Sequence, residues 1–171
     1  DSGGGGSHTM ADFLKRAEGQ GIRFVNVSPV REDLEGVPSA EWIPIRPGTD
    51  TAMILAMAHE IASEGKANRS FLTTYCVGYE RFLAHVTGED GSQPKTPDWA
   101  AEITGVPADT IRSLASALVE TRSYINMAWG IQRADYGELP FWAVVSLAAM
   151  VGQIGQMGGG LGFGMGSVNG M

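Results

Sequence analysis

The sequence has almost no cysteine and no long hydrophobic run, and each absence excludes a class of protein. The single cysteine, Cys76, rules out an internal disulfide framework and leaves too few thiolates for a cysteine-based zinc or iron–sulfur site. The longest mainly apolar run, Phe141 to Val151, is shorter than the roughly 20 residues that cross a bilayer. The first residues show no basic segment followed by an apolar one, so no signal peptide is visible. We therefore expect no membrane span and favour the cytoplasm over the periplasm as the location.

Positive charge is scarce as well. Lys and Arg total 12 while Asp and Glu total 19, which gives a net charge of −7 with neutral histidines. General binding of nucleic acids or anionic membranes needs a positive field. We therefore expect no nucleic-acid partner, although a local basic pocket for a smaller anion is compatible with this charge.

Side chains that bind metals or act as nucleophiles form no known motif. His59, His85 and Cys76 lack the spacing of a metal site, and His59 is best explained as a partly buried histidine on its helix. A P-loop and a nucleophile elbow are both absent from the sequence. The glycines of 158–162 follow a predicted helix rather than a strand, which argues against a Rossmann dinucleotide fingerprint. We predict no catalytic residue and no metal ligand in this chain.

Glycine, by contrast, is abundant, with 24 residues among 171. Four of them are Gly3 to Gly6 and eight lie between Gly155 and Gly170, so half of the glycines are near the two ends. We interpret both ends as internal loops of a longer protein. The predicted organisation is a glycine-rich loop or linker over residues 1–10, an α/β domain over residues 11–155 and a glycine-rich tail over residues 156–171 that continues into further sequence.

Hydrophobic periodicity predicts helices that alternate with a few strands. The predicted strands are 22–27, 42–45 and 123–128, and the predicted helices are 10–17, 51–64, 70–75, 79–86, 97–103, 107–118 and 139–154. The last helix has no polar face, so we expect it to be buried on most sides. This order predicts the α/β class, as a three-layer Rossmann-like domain with a mainly parallel sheet flanked by helices.

Three loops follow the predicted strands and form the candidate ligand site, because ligands of parallel sheets bind beyond the carboxyl ends of the strands. Ser28-Pro29-Val30-Arg31, after Val27, offers a hydroxyl and a cation, but a strand end with a surface arginine explains these residues more simply. Trp129 to Arg133, after Ala128, combines a flat stacking surface, an amide and a phosphate-seeking guanidinium. A core tryptophan beside a surface arginine accounts for that loop equally well.

The second loop, Arg46-Pro47-Gly48-Thr49-Asp50, follows Ile45 and opens a predicted helix. The simplest interpretation is a helix cap formed by Thr49 or Asp50. The functional interpretation is more specific, because a carboxylate accepts two parallel N–H bonds and so binds the edge of a guanine. Gly48 would let that ligand approach the backbone closely. From the residues alone we predict a nucleotide-binding domain without a complete catalytic set. A stand-alone nucleotide-binding or interaction module without redox activity is the alternative.

Six stretches of the sequence resemble the molybdopterin oxidoreductases of the dimethyl sulfoxide reductase family, and among them the biotin sulfoxide and trimethylamine N-oxide reductases most. The stretches occur in the family's order and together span nearly all of residues 20–165. They are Asn26 to Arg31, Trp42 to Asp50, Lys95 to Ala100, Gly105 to Ile111, Trp129 to Arg133 with Gly137 and Glu138, and Leu147 to Gly162. The resemblance implies that residues 11–155 hold one of the two dinucleotides of a molybdenum bis(molybdopterin guanine dinucleotide) cofactor.

The resemblance also implies roles for individual residues. The positions that match contacts to the guanosine end are Val27, Ser28, Gly48, Thr49 and Asp50, and those that match contacts further along the cofactor are Trp129, Gly130 and Arg133. By this analogy Asp50 would take the guanine edge. Two positions depart from the family pattern. Gly130 stands where serine is common, which leaves only a backbone contact, and Gln156-Met157 stands where Leu-Pro is usual.

Enzymes of this family reduce an S-oxide or an N-oxide by oxygen-atom transfer to Mo(IV), with two electrons from a separate donor. The protein ligand to molybdenum is a serine in the members that the sequence resembles, and it would lie before residue 1. The implied partners are the remaining domains of the parent chain, the oxide substrate and the electron donor. We expect the 171 residues alone to be inactive and to bind the dinucleotide weakly or not at all.

Overall fold

The computed structural model describes residues 5–34 and 36–164, with side chains from Ala11 onward. In this part of the chain, helices alternate with short strands. They are α1 (Gly5–Glu18), β1 (Val25–Val27), β2 (Glu41–Ile43), α2 (Asp50–Ser63), α3 (Arg69–Tyr75), α4 (Tyr79–Thr87), α5 (Pro97–Thr104), α6 (Ala108–Glu120), β3 (Tyr124–Met127), α7 (Leu139–Val151) and β4 (Gly160–Phe163). Short 3₁₀ turns follow β1 at Arg31–Asp33 and β3 at Trp129–Arg133. No helix among these residues is long and apolar enough to cross a membrane.

The strands pair in parallel, in two separate sheets. β1 pairs with β2, with Val27 opposite Ile43, and β3 pairs with β4, with Met127 opposite Phe163. The α/β class is therefore confirmed, whereas the described residues form two two-stranded sheets rather than one larger sheet. The strands are only three or four residues long. Pro44 directly follows β2 and has no N–H with which to extend the ladder.

Strand β4 is the element that the sequence analysis missed, because it lies in the region predicted as a glycine-rich tail. Glycine is depleted in strands, so local preference does not reveal this one. Its backbone groups find partners only when the chain folds and β4 pairs with β3. A Cβ atom at Gly162 would overlap the hydroxyl of Tyr124 on β3, so the exposed Tyr124 side chain would have to move.

All the predicted helices are present, with shifted ends. Helix α1 begins at Gly5, so residues 5–10 of the segment predicted as a loop or linker belong to a helix. Residues 1–4 lie outside the described part of the chain. Helix α7 ends at Val151, before the predicted residue 154, because Gly152 adopts the left-handed conformation that terminates helices.

Helix α7 is buried on one side and exposed on the other. Leu147 and Met150 are almost fully buried in the core. On the opposite side Trp142 is 70% exposed, and Leu139 is 44% exposed. The expectation that α7 is buried on most sides is therefore wrong for this face, because no described element packs over it.

The core is built around α2, which packs against α4, α5, α6 and α7. Ala56 and Ala58 are completely buried, and Ile61 is 1% exposed. Small side chains let neighbouring helices approach closely. Each large aliphatic side chain buried there stabilises the folded state by roughly 1.5–3 kcal/mol. Ile111 of α6 completes this contact from the other side and is also fully buried. The start of α2 is consequently held in place by the most extensive packing in the described residues.

Gln153 connects three elements through its side-chain amide. Its Oε1 accepts a hydrogen bond from the backbone N–H of Ser123 at 2.8 Å. Its Nε2 donates to the carbonyl of Thr121 at 2.8 Å and to that of Leu118 at 3.3 Å. The end of α6, the start of β3 and the segment between α7 and β4 are joined by this one residue.

Replacing Gln153 by leucine should destabilise the fold. Gln153→Leu leaves a partly buried N–H and two carbonyls without their partner, at a cost of about 1–3 kcal/mol in the free energy of unfolding. Gln156→Leu is the matched control, because Gln156 is exposed and makes one side-chain bond, to Gly152 at 3.2 Å. Urea denaturation of both variants measures the difference. Equal destabilisation by the two substitutions would contradict the joining role of Gln153.

Candidate functional site

The parallel pairing of the strands decides which of the candidate loops lie together. Because β1 and β2 are parallel, the loops that follow them leave the same edge of their sheet, and the N–H of Ser28 donates to the carbonyl of Ile43 at 3.2 Å. The loop after β3 leaves the other sheet, beside Gly164, whose N–H donates to the carbonyl of Met127 at 2.6 Å. The structure thus places the first two loops at one sheet edge. In the described part of the chain, no hydrogen bond joins the third loop to them.

The loop after β1 uses the polar groups of Ser28 internally. Ser28 is 6% exposed, and its hydroxyl donates to the carboxylate of Asp33 and accepts from the N–H of Val30 at 3.1 Å. Its carbonyl accepts from Nε1 of Trp42 at 2.9 Å. Ser28 therefore shapes the loop, while the side chain of Val27, 36% exposed, stands at its surface.

Asp33 and Trp42 are residues of this loop region that the sequence analysis did not assign to the site. Both act on it by holding Ser28, one through its hydroxyl and one through its carbonyl. Asp33 follows Ser28 by five residues, but this spacing belongs to no motif. Trp42 lies on the neighbouring strand β2, so its contact depends on the pairing of the strands.

The loop from Arg46 to Asp50 is folded back on its own first residue. The carbonyl of Arg46 accepts from Oγ1 of Thr49 at 2.7 Å and from the N–H of Thr49 at 3.3 Å. Thr49 stands at the N-cap position of α2, yet its side chain makes no capping bond. Gly48 has a φ of +75°, and no atom lies within 4 Å of the position that a Cβ would occupy. Thr49 is therefore the N-cap residue by position, as predicted, but without a capping bond from its side chain, and the space beside Gly48 is open.

Asp50 is the first residue of α2 and is half-buried. Burial raises the pKa of its carboxyl above the ordinary value, and a hydrogen bond from its own backbone N–H partly opposes this effect. A carboxylate that has lost hydration gains from a ligand that offers N–H donors. The start of a helix also favours a negative charge, so the carboxylate is stabilised there when ionised.

Arg46 is a third residue whose role the sequence analysis did not assign. Its Nη1 donates to the carbonyls of Glu102 at 2.7 Å and Ile103 at 3.0 Å. Its backbone N–H donates to the carbonyl of Thr104 at 2.9 Å. These carbonyls lie at the end of α5, more than 50 positions further along the chain, so no local sequence pattern predicts the contact.

The third loop presents a partly exposed aromatic ring. Trp129 is 40% exposed, and its ring lies 6.3 Å from that of Phe141 between centroids. Phe141 in turn lies 5.3 Å from Phe163 of β4. Gly130 and Arg133 are exposed in the same 3₁₀ turn. Trp129 is therefore supported from one side by aromatic rings and reaches the surface with the other, unlike a core tryptophan.

The remaining titratable candidates lie apart from these loops. Burial lowers the pKa of His59, which is half-buried on α2. Hydrogen bonds from Ser92 and then from His85 lower the pKa of Asp90 to about 2. Cys76 is half-buried and reduced. Among residues 5–34 and 36–164, no group of three or more His, Cys, Asp or Glu side chains is arranged to hold a metal ion.

Comparison with known proteins gives the same family over nearly the whole chain. A family model described as molybdopterin oxidoreductase matches residues 7–170. The chain is 46% identical to biotin sulfoxide reductase from Cereibacter sphaeroides over 171 residues, which are 100% of this chain and 23% of that protein. It is 42% identical to dimethyl sulfoxide/trimethylamine N-oxide reductase from the same organism, over 87% of this chain and 18% of that protein. A trimethylamine-N-oxide reductase from Haemophilus influenzae is 39% identical, over 88% of this chain and 18% of its own length.

A solved structure agrees with these matches. Acetylene hydratase from Pelobacter acetylenicus superposes with a TM-score of 0.65 at 27% sequence identity, over 84% of this chain and 19% of the hydratase chain. The chain thus spans about a quarter or less of the length of the proteins that it matches. The resemblance inferred from the six stretches is confirmed: the chain belongs to the molybdopterin oxidoreductase family.

Proposed function

We propose that the chain is the part of a molybdenum oxidoreductase that binds one molybdopterin guanine dinucleotide, in an enzyme that reduces an S-oxide or an N-oxide. One observation carries the proposal. The half-buried carboxylate of Asp50 stands at the start of α2, close in the chain to Gly48, whose outer side is open. The names of the relatives, reductases of biotin sulfoxide, dimethyl sulfoxide and trimethylamine N-oxide, support the assignment of the substrate class.

The loop that ends in Asp50 fits the guanine end of such a cofactor. Burial raises the pKa of Asp50, which means that its ionised form is short of solvent. The ring N–H and the amino group of guanine would supply the two donors that a carboxylate accepts in parallel. Gly48 leaves room for a flat base to approach the backbone, and Thr49 keeps the loop closed on Arg46. Val27, exposed at the same sheet edge, would form the neighbouring wall, and Ser28 would hold the shape of that loop.

The third loop suits a more central part of the cofactor. The ring of Trp129 offers a flat apolar surface, and the exposed guanidinium of Arg133 suits a phosphate oxygen. Gly130 lies between them and adds backbone groups at the surface. We assign these three residues to the pterin and phosphate end, and the three loops together to the binding of one dinucleotide.

The molybdenum centre, when bound, supplies the two-electron chemistry that removes oxygen from the substrate. The residues of this chain bind and orient the dinucleotide, while the protein ligand to molybdenum, the substrate and the electron donor are held by other parts of the proposed enzyme. In that enzyme we infer that residues 11–155 form the binding domain, and that both sheets belong to one three-layer Rossmann-like arrangement. The cytoplasmic location stays a prediction.

A stand-alone nucleotide-binding or interaction module is less well supported. Such a module would share sequence with the reductases only around its nucleotide contacts. The similarity instead runs through the whole chain, including segments far from the candidate loops, such as α3 and α4. Detection of the cofactor by mass analysis of the intact protein separates the two interpretations.

Replacing Asp50 by asparagine should weaken retention of the cofactor in the intact enzyme. The asparagine side chain has one oxygen acceptor, and its NH₂ group would face an N–H of guanine. One of the two bonds to guanine is therefore lost, together with the negative charge of the carboxylate. Charge-assisted bonds of this kind correspond to a loss of at least about tenfold in affinity. Guanine nucleotide released by acid from purified protein measures the effect. Normal nucleotide content in Asp50→Asn would contradict the assignment.

The same substitution should not destabilise the chain without its cofactor. Because burial raises the pKa of Asp50 in the folded state, folding becomes less favourable as the pH rises from the ordinary pKa of the carboxyl to the raised one, and the cost stays at higher pH. Asp50→Asn removes this cost, so its melting temperature at pH 7 should equal or exceed that of the unmodified chain. A marked fall would show that the carboxylate has a structural role instead.

Gly130→Ser should be tolerated and should hold the cofactor at least as firmly. No atom lies within 4 Å of the Cβ position at Gly130, whereas a Cβ at Gly137 would overlap the carbonyl of Gln132. We expect Gly130→Ser to change the free energy of unfolding by less than about 0.5 kcal/mol and Gly137→Ser to lower it by about 1–3 kcal/mol. Thermal melting and nucleotide content of both variants test this pair. Destabilisation by Gly130→Ser would contradict the open geometry of the turn.

The 171 residues alone should bind guanine nucleotides weakly or not at all and should reduce no oxide. The first two loops and the third leave different sheets, so a single dinucleotide that spans them needs support from further parts of the enzyme. Calorimetric titration of the chain with GDP, which carries the guanosine and diphosphate of the cofactor, measures the binding. Tight binding would contradict this expectation while supporting guanine recognition itself.

A further inference from the structure

Arg46 is bonded to protein partners through both its backbone and its side chain. Its Nη1 donates to the carbonyls of Glu102 and Ile103, and its N–H donates to that of Thr104. These are the last residues of α5, where unpaired carbonyls favour a cation. Its own carbonyl accepts from the hydroxyl of Thr49. Arg46 therefore bridges the end of one helix and the loop that opens another.

The α5 side of this bridge is rigid. Thr104 is completely buried, and its hydroxyl donates to the carbonyl of Ala100 at 2.8 Å and accepts from the N–H of Val106 at 3.0 Å. Val106 and Ala100 are also completely buried. Helix α5 packs directly against α2. The carbonyls that receive Arg46 are thus fixed relative to the core.

The other end of the loop is equally fixed. Asp50 begins α2, and Ala52 and Met53 in its first turn are buried. Only Pro47, Gly48 and Thr49 lie between Arg46 and this helix. With both ends anchored, the loop has little freedom, and the position of the Asp50 carboxylate follows from the two anchors.

We propose that Arg46 is a positioning residue for guanine recognition, which holds the loop against α5 so that Asp50 meets the base, and does not itself contact the nucleotide. This inference rests on the proposed function. An arginine beside an anionic cofactor would ordinarily be assigned to phosphate. Here two backbone carbonyls accept from Nη1, which holds the guanidinium against the end of α5 and leaves only Nε and Nη2 with donors for another partner.

A double-variant experiment in the intact enzyme separates the two roles. Arg46→Gln, Asp50→Asn and the double variant are purified, and the rate at which each loses bound guanine nucleotide on warming is followed by assay of the released GMP after hydrolysis. We expect Arg46→Gln to lose nucleotide about tenfold faster, by analogy with the effect of removing groups that orient metal ligands. If Arg46 acts through Asp50, the double variant loses guanine nucleotide no faster than Asp50→Asn does. If Arg46 binds phosphate, the two effects multiply.

Arg112→Gln is the matched control. Arg112 lies on α6 and pairs with Asp98 and Asp109 at the surface, and among the described residues no hydrogen bond or ion pair joins it to the loop. Its removal should leave the rate of nucleotide loss unchanged, since exposed ion pairs contribute little to stability. Arg46→Lys keeps the charge but not the planar guanidinium, and it replaces Arg46→Gln in the comparison if that variant fails to accumulate. Its rate of nucleotide loss should fall between the rates of Arg46→Gln and the unmodified enzyme.

The outcomes distinguish the inference from the function on which it rests. Nucleotide retention in Arg46→Gln equal to that of the unmodified enzyme, or multiplied rates in the double variant, would overturn the positioning role alone. An unmodified enzyme that contains molybdopterin without guanine nucleotide would overturn the proposed guanine recognition, and the positioning role with it. Accelerated loss in Arg46→Gln with no further acceleration in the double variant supports both.

Discussion

The close packing of α2 against α5, α6 and α7 is the constraint from which the candidate site follows. Ala56 and Ala58 bring neighbouring helices close to α2, and the larger Ile61 and Ile111 fill the remaining space. A helix held from several sides cannot rotate or slide without opening cavities, which is costly in a well-packed interior. The first residue of α2, Asp50, is therefore placed by contacts that lie one to three turns further along the helix.

The placement of Asp50 at a half-buried position destabilises the folded chain, because its charged carboxylate has lost hydration. A loop with only a structural role would gain nothing from such a residue. A half-buried carboxylate with a raised pKa lowers the stability of the folded chain at neutral pH. The nearby loop after β1 shows the opposite arrangement, because the buried Ser28 is satisfied by Asp33, Val30 and Trp42. The polar groups of Ser28 are thus bonded within its own loop region, whereas the carboxylate of Asp50 stays poorly hydrated. On this contrast Ser28 shapes its loop, whereas Asp50 is the residue that we propose to bind the cofactor.

Much of the fold could be predicted because its signals are local. The apolar spacing of Ile111, Leu114, Ala115 and Leu118 predicts α6, and the order of helices and strands predicts the α/β class. The loop with Gly48 and Asp50 could be identified because glycine and a carboxylate before a helix form a compact pattern. Strand β4 could not be predicted in this way, since its glycines carry no strand preference and its partners lie on β3.

The sequence by itself determined the helices, the family and the residue types of the three loops, because these depend on neighbours in the chain and on short motifs. The tertiary structure alone decided which loops share a sheet edge, that Ser28 is turned inward and that Arg46 is bound to the end of α5. It also decided that one face of α7 is exposed, although the helix is apolar all round. Each of these features depends on groups brought together from distant parts of the chain, and the local spacing of residues does not predict such contacts.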